Sequence, residues 1–197
     1  MRRLLLLACA FALPAFAAAE AACPPDEAVE RLALGILDNK PGEPLAGMSS
    51  LADGQCAQDK LVPLLAKQLG RPVGYKVGLT NPAAQQRFGV PHPLAGAIYE
   101  ATLRLRDGDE VPARFAAVPA VEADLLVRVR DEGINAARTH EEVLRHIDQV
   151  IPFIELPDLV VPPAKLDGPN LLAINVGARL GVSGAPIPAR ADAEFAA

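Results

Sequence analysis

Two carboxylates in an alternating segment are the first residues of this chain whose types and spacing suit chemistry. Within 120–129, Glu122 and Asp124 occupy even positions, whereas the odd positions are all apolar: Val121, Ala123, Leu125, Val127 and Val129. In a β-strand alternate residues share a face, so the two carboxylates would project side by side, about 7 Å apart at Cα. Such a pair either faces water on a half-buried sheet or shares a cation, and this segment alone leaves both interpretations open.

A third carboxylate favours the cation. Glu155 lies in segment 151–157, which is otherwise apolar enough to be core. A buried carboxylate without a partner is costly, so it needs a metal ion, a cationic side chain or a proton. Three oxygen ligands with open coordination positions suit Mg²⁺ or Mn²⁺, and the absence of a Cys/His cluster from the sequence argues against structural zinc.

A lysine in a short apolar segment is the remaining polar candidate. Lys76 stands between Gly74 and Gly78 within segment 74–79. It faces solvent, as most lysines do, or it faces inward. An inward lysine would meet the acidic cluster, where it could balance negative charge or carry protons.

The elements that must position these residues are predicted as a mixture of helices and strands. Apolar periodicity indicates helices over 26–37 and 52–69, and Pro63 is expected to kink or split the second. A short helix is predicted from Pro82 to Gly89. A fourth helix begins at a Thr139–Glu142 capping box, ends before Pro152 and is expected to bury Val143, Leu144, Ile147 and Val150. Strands are predicted over 73–79, 120–129, 151–161 and 171–176, with a hairpin-like element at Leu103, Leu105 and the Asp107–Gly108 turn.

Composition predicts one folded domain. The chain has 197 residues, 51% of them hydrophobic, which is enough for one core and too few for two. A formal net charge of −5 gives no basic surface for nucleic acid. We assign the domain to 20–182, with a helical N-terminal part over about 24–70, and a weakly patterned tail to 183–197.

The first residues have the pattern of a cleavable secretory signal. Arg2 and Arg3 precede an apolar run over 4–16, and three alanines follow before Glu20. This order of basic, apolar and small residues predicts a signal peptide over 1–19 with cleavage near Ala19, and the run is too short to stay as a membrane-spanning helix. We therefore expect a periplasmic or secreted protein that is not attached to a membrane after cleavage.

Two cysteines remain once that signal is removed. An oxidising compartment would allow Cys23 and Cys56 to form a disulfide. Two separate buried thiols are the alternative, because spacing alone does not show whether the two Cα atoms come within bridging distance.

Four segments together resemble the 2-keto-4-pentenoate hydratase branch of the fumarylacetoacetate hydrolase superfamily. The segments, spread over about 55–182, are Gly74-Tyr75-Lys76-Val77-Gly78-Leu79-Thr80, the turn at Phe88-Gly89-Val90 running to Gly96, Val121-Glu122-Ala123-Asp124, and Pro152-Phe153-Ile154-Glu155. The resemblance implies an α+β fold, a mixed β-sheet roll with the N-terminal helices packed outside it. It also implies that Glu122, Asp124 and Glu155 bind a divalent cation, Mg²⁺ or Mn²⁺, and that Lys76 is the active-site lysine.

The activity that the resemblance implies is hydration of a small acid. A hydro-lyase of this branch adds water at carbon 4 of a 2-hydroxy-2,4-dienoate, after ketonisation to the 2-oxo-4-enoate, and gives a 4-hydroxy-2-oxo acid. The metal stabilises the developing enolate as a Lewis acid, and Lys76 assists the proton transfers or the charge balance. The partner is therefore a small 2-oxo or 2-hydroxydienoic acid, and a second copy of the chain, in a homo-oligomer, is a further candidate partner.

The chain departs from the branch in three places. Asp124 stands where a second glutamate is usual, and Leu94 stands where many relatives have an aspartate. Family members also continue through several strands after the region matching 175–182, so we expect the C-terminal part of the roll to be missing.

The other polar residues and these departures leave alternatives open. His92, His140 and His146 are expected in solvent, and no His/Glu pair typical of C–C hydrolases is evident, which favours hydration or decarboxylation. A decarboxylase or C–C hydrolase acting on a 2-oxo acid, a non-catalytic periplasmic small-acid-binding protein and an inactive shortened remnant remain the alternatives.

Overall fold

The computed structural model describes residues 22–189, so the predicted signal over 1–19 and the end of the predicted tail, 190–197, lie outside the described residues. The helices are α1 (Asp26–Leu37), α2 (Leu51–Leu69), α3 (Pro82–Phe88), α4 (His140–Arg145) and α5 (Gly168–Ala173). The strands are β1 (Pro72–Gly78), β2 (Leu94–Tyr99), β3 (Leu105–Arg106), β4 (Glu122–Val129), β5 (Ile147–Leu156), β6 (Leu180–Ser183) and β7 (Ile187–Pro188).

The strands form two sheets. β1 and β2 pair antiparallel by themselves. The larger sheet has the order β3-β6-β5-β4, with β7 pairing β5 beyond the end of β6. β3 runs parallel to β6 and the other pairs are antiparallel, so this sheet is mixed.

A hydrogen-bonded cap and a disulfide connect the segment before α1 to the first turns of α2. Ser50 caps α2 by accepting a hydrogen bond from Asp53 N, and the Asp53 carboxylate accepts from the backbone N–H groups of Ser49, Ser50 and Ala22. The Ser49 N–H contributes most to lowering the pKa of Asp53 to about 2. Cys23 and Cys56 form a disulfide with a Cα–Cα distance of 5.4 Å, which resolves the question left open by spacing.

The hydrophobic core lies between the helices α1, α2 and α5 and the strand β2. Val29 of α1, Leu61 and Leu65 of α2 and Tyr99 at the end of β2 are almost completely buried, and Leu171 of α5 joins the same cluster. α2 continues across Pro63 as one helix, so of the two predicted outcomes the split does not occur. Among residues 22–189, no helix combines the length and the apolar character that crossing a membrane requires.

The predicted strand over 171–176 is wrong, because the segment forms α5 and a 3₁₀ turn over Asn175–Gly177. Asp167 caps α5 by accepting from Asn170 N, and Pro169 occupies the first turn. These start signals are local, whereas a short buried apolar run fits a strand and a buried helix equally well.

Two boundaries around β5 also differ from prediction. The capping box at Thr139 and Glu142 is present, but α4 ends at Arg145 and buries none of its side chains. Ile147 and Val150 belong to β5, which therefore begins earlier than predicted and ends at Leu156 instead of 161. Pairing along β4 extends the strand where helical periodicity had suggested more helix.

The predicted hairpin near Leu103 is wrong as well. Leu105 and Arg106 form β3, which pairs in parallel with Val182 and Ser183 of β6. The turn at Asp107–Gly108 is present, with Gly108 at φ 91°. Local spacing carries no signal for a parallel pairing with a distant strand, so the turn alone predicts a hairpin.

The apolar face of β4 is exposed, contrary to the half-buried strand that alternation predicts. Val121 is 71% exposed and Leu125 55%, and on neighbouring β5 Ile154 is 49% exposed. We call this surface the outer β4–β5 face; it comprises Val121, Leu125, Val127, Val129, Pro152 and Ile154, and Ile187 of β7 lies beside it. Alternation identifies the face correctly but does not show whether anything covers it.

Candidate metal centre

The pairing of β4 with β5 brings the three predicted acids together. Glu122 is directly opposite Glu155, and Asp124 is opposite Phe153. Residues opposite each other in an antiparallel pair lie on the same face, and so do residues two apart along a strand. Glu122, Asp124 and Glu155 therefore share one face, which we call the inner β4–β5 face.

Their geometry suits a divalent cation. One carboxylate oxygen from each of Glu122, Asp124 and Glu155 lies within 4.8 Å of the others. Opposite oxygens around Mg²⁺ are about 4 Å apart, since each metal–oxygen distance is roughly 2.1 Å. Glu122 and Asp124 are exposed and Glu155 is buried, so small rotations of the two exposed side chains would close the set around an ion.

Lys76 faces inward and contacts this group. Its Nζ donates a hydrogen bond of 2.5 Å to Glu155 Oε1, and the Lys76 side chain is 12% exposed. The open question about this lysine is thus resolved toward the acidic cluster. Of the three arrangements expected for a buried carboxylate, Glu155 has a cationic side chain as its partner, and it still has two acidic neighbours.

The electrostatics of the group favour an additional cation. Burial raises the pKa of Glu155, Lys76 opposes this, and the charges of Glu122 and Asp124 raise it further. With all groups ionised, three carboxylates and one ammonium leave two negative charges. A single divalent cation would neutralise them.

A strained turn fixes the strand pair that carries Lys76. Lys76 pairs with Gly96 of β2, and a Cβ at Gly96 would fall on the Asn175 carbonyl oxygen. The Asn175 side chain is fully buried; it accepts from Ala97 N at 2.7 Å and from Gln58 Nε2 at 3.1 Å and donates to Ala97 O at 2.8 Å. Asn175 and Val176 have φ of 58° and 52°, a left-handed conformation that is costly for a β-branched valine.

This supporting turn was not predictable from the residues around it. Asn175 fell inside a predicted strand, and an isolated asparagine before Val-Gly carries no specific signal. The one usable sign was Gly96, because a glycine inside a strand indicates close approach of another backbone.

The remaining sequence candidates lie elsewhere. Leu94 is buried at the start of β2. His92 and His140 are exposed, as predicted. His146 is half-buried and its Nδ1 is 2.7 Å from Asp131 Oδ1, so it is paired with an acid where solvation was expected.

Comparison with known proteins supports the predicted resemblance over part of the chain. The chain is 34% identical over 86 residues to a 2-keto-4-pentenoate hydratase of Paraburkholderia xenovorans, a match that covers 44% of this chain and 32% of the relative. It is 27% identical over 163 residues to 2-keto-4-pentenoate hydratase 2 of Dechloromonas aromatica, covering 81% of this chain and 62% of the relative. The chain therefore spans about a third of the length of the first relative and just under two thirds of the second. No family model matches the chain.

Among solved structures, the chain resembles 4-oxalocrotonate decarboxylase from Pseudomonas putida G7. The structure complexed with magnesium and adipate gives a TM-score of 0.68 at 23% identity, covering 81% of this chain and 61% of that one. The structure complexed with calcium and acetate gives a TM-score of 0.65. The predicted α+β fold is confirmed: this chain has the fold of 4-oxalocrotonate decarboxylase and is similar in sequence, over part of its length, to 2-keto-4-pentenoate hydratases.

Proposed function

We propose that this chain is a metal-dependent hydro-lyase that adds water to a 2-hydroxy-2,4-dienoate, through its 2-oxo-4-enoate form, to give a 4-hydroxy-2-oxo acid. The observation that carries the proposal is the convergence of Glu122, Asp124 and Glu155 on one face, with Lys76 bonded to Glu155. The similarity to hydratases supports the reaction type. The metal is Mg²⁺ or Mn²⁺, since carboxylate oxygens are the ligands that these ions prefer.

Three residues of the site would bind the cation, and a fourth would hold a proton and balance charge. Glu122, Asp124 and Glu155 would hold the cation, which supplies Lewis-acid stabilisation of a developing enolate when bound. Lys76 Nζ already donates to Glu155 Oε1, so it is placed to hold a proton beside the ligands and to offset the charge of a bound acid. The strained turn at Asn175 orients the strand pair that carries this lysine.

Absorbance spectroscopy tests the proposal. We expect the wild-type chain to consume 2-hydroxypenta-2,4-dienoate, seen as loss of ultraviolet absorbance, with Mg²⁺ or Mn²⁺ and not with excess chelator. Glu155→Gln should lower the rate at least a hundredfold, because it removes the buried ligand and the partner of Lys76. Glu141→Gln on exposed α4 is the matched control. Full activity in Glu155→Gln would contradict the assigned triad.

Decarboxylation of a 2-oxo acid is the second candidate, and the structural match to 4-oxalocrotonate decarboxylase favours it over C–C bond hydrolysis. Both reactions begin with a 2-oxo carboxylate that can chelate a metal, and they differ in substrate and product. Release of carbon dioxide from an oxo diacid, with no 4-hydroxy-2-oxo acid formed, would assign decarboxylation. Tight binding of either acid without turnover would assign a small-acid-binding protein.

Export to the periplasm or the medium is part of the same proposal. The pattern of residues 1–19 supports it, and so does the Cys23–Cys56 disulfide, because disulfides persist in oxidising compartments. Mass spectrometry of the protein from a cell fraction should find a mature chain beginning near Glu20. An intact Met1 in a cytoplasmic fraction would contradict export.

Self-association with a second copy completes the proposal. The outer β4–β5 face is a contiguous apolar surface, a property more typical of interfaces than of free surfaces. β4 also lies at the edge of its sheet among the described residues. Light scattering should give at least twice the mass of one chain, and Val127→Lys should lower it, whereas Arg128→Lys on the other face should not.

A further inference from the structure

The inner β4–β5 face continues from the triad into an apolar cleft. Leu126 and Ile151 are paired across the two strands, and Leu126 follows Asp124 by two residues, so they lie on the same face as the acids. They line a cleft of about 450 Å³ together with Leu103, Ala185 and Pro186. Leu126 is half-buried, whereas every other residue of β4 is exposed.

The cleft presents mainly carbon to its interior. Arg106 and Asp107 lie at its wall, and Nη1 of the Arg106 guanidinium donates to the carbonyl oxygens of Leu103 and Leu105. Phe153, opposite Asp124, is buried, and its ring lies against Gly181 of β6. The surface between the triad and the cleft is therefore apolar as well.

The opposite direction along the strands leads to a polar, hydrogen-bonded segment. Beyond Glu122 the chain bonds to the segment after β5, with Ala120 N donating to Pro157 O. The buried Asp158 accepts from Ala117 N and Val118 N at 3.0 and 2.9 Å. A ligand chelated at the triad meets the apolar cleft in the direction of Leu126 and Ile151.

From this arrangement we infer that the cleft binds an apolar substituent at the end of the substrate remote from its carboxylate. The inference rests on the proposed function and names its substrate class: 2-hydroxydienoates that carry an alkyl or aryl group beyond carbon 5. Asp124 and Leu126 are about 7 Å apart along the strand. An extended carbon chain covers roughly 1.2 Å per bond, so about six bonds span this distance, and a chain chelated through carbons 1 and 2 places its seventh and eighth carbons in the cleft.

Calorimetry with two unreactive saturated acids tests the inference. In Mg²⁺ we expect 2-oxooctanoate to bind at least about tenfold more tightly than 2-oxopentanoate, because each fully buried methylene is worth about a fourfold change in affinity. Leu126→Ser should remove most of that preference. Leu34→Ser, at an exposed position of α1, should retain it and controls for a general effect of replacing leucine by serine.

The outcomes separate this inference from the function on which it rests. Equal affinities for the two acids, or an unchanged preference in Leu126→Ser, would overturn the cleft assignment even if the wild-type chain hydrates the unsubstituted dienoate. Absence of both binding and hydration would overturn the proposed function together with the inference. A preference lost in Leu126→Ser alone would support both.

Discussion

Glu155 is the least exposed of the three carboxylates, and its environment makes metal binding depend on pH. Burial and the neighbouring Glu122 and Asp124 raise the pKa of Glu155, although Lys76 opposes them. Protons and the cation compete for the same oxygens, so binding is strong above this raised pKa and weakens as the pH falls through it. The decline should therefore begin at a higher pH than for an ordinary glutamate, whose pKa is about 4.3.

Titration calorimetry with Mg²⁺ over a series of pH values measures this effect. We expect the affinity to fall by up to about tenfold for each pH unit below the pKa of Glu155, with one proton displaced per ion bound. Glu141→Gln should follow the wild-type curve. A pH-independent affinity would show that Glu155 is not a ligand.

Tyr99 offers a prediction about stability at the same scale. Its ring is completely buried and no described residue bonds to its hydroxyl, and burial raises the pKa of that phenol. An unsatisfied buried hydroxyl costs about 1–3 kcal/mol, so Tyr99→Phe should leave the free energy of unfolding in urea unchanged or raise it by about 1 kcal/mol. Tyr99→Ala should lower it by about 3–5 kcal/mol. A clear loss in Tyr99→Phe would mean that the hydroxyl is bonded in solution.

At the scale of elements, the close approach of β2 to the Asn175 turn predicts intolerance of any side chain at position 96. Gly96→Ala should lower the free energy of unfolding by about 1–3 kcal/mol, because the new methyl group meets backbone and cannot be accommodated by rotating a side chain. It should also lower Mg²⁺-dependent activity, since Gly96 pairs with Lys76. Gly42→Ala, whose Cβ would make an ordinary 3.5 Å contact with Val160, is the control. Equal urea midpoints for the two variants would contradict this packing.

Elements with strong local signals were predictable from sequence. α1, α2 and α3 begin and end within a residue of their predicted limits, because apolar periodicity, Asn81 as a cap and Gly89 as a left-handed stop are all local. Alternation in 120–129 was sufficient to predict that Glu122 and Asp124 share a face, and the family resemblance implied that Glu155 joins them. Their roles as ligands remain a prediction.

Elements defined by distant partners were not predictable in the same way. β3 is stabilised by its parallel pairing with β6. The left-handed conformation of Asn175 is stabilised by hydrogen bonds of its side chain to β2 and Gln58. The same holds for the outer β4–β5 face, whose exposure depends on what packs there and not on its own residues. Each of these features is a property of the tertiary structure, which overrides local preference.

For the whole molecule, the disulfide should be a major source of stability. Cys23 and Cys56 are 33 residues apart, and closing a loop of that length lowers the entropy of the unfolded chain enough to give about 3–4 kcal/mol. Reduction, or the Cys23→Ser/Cys56→Ser pair, should lower the free energy of unfolding in urea by about 2–4 kcal/mol. Adding dithiothreitol to the double variant should change nothing further. Equal stability of the oxidised and reduced wild type would contradict the disulfide's contribution.

The ion pair between Lys76 and Glu155 has a consequence for how the molecule selects ions. Because a tethered ammonium already accompanies the buried carboxylate, an arriving ion must compete with a counter-ion that belongs to the chain itself. A monovalent ion would leave one of the two remaining negative charges unbalanced. A divalent ion balances both, so we expect the site to select ions by valence before coordination geometry contributes.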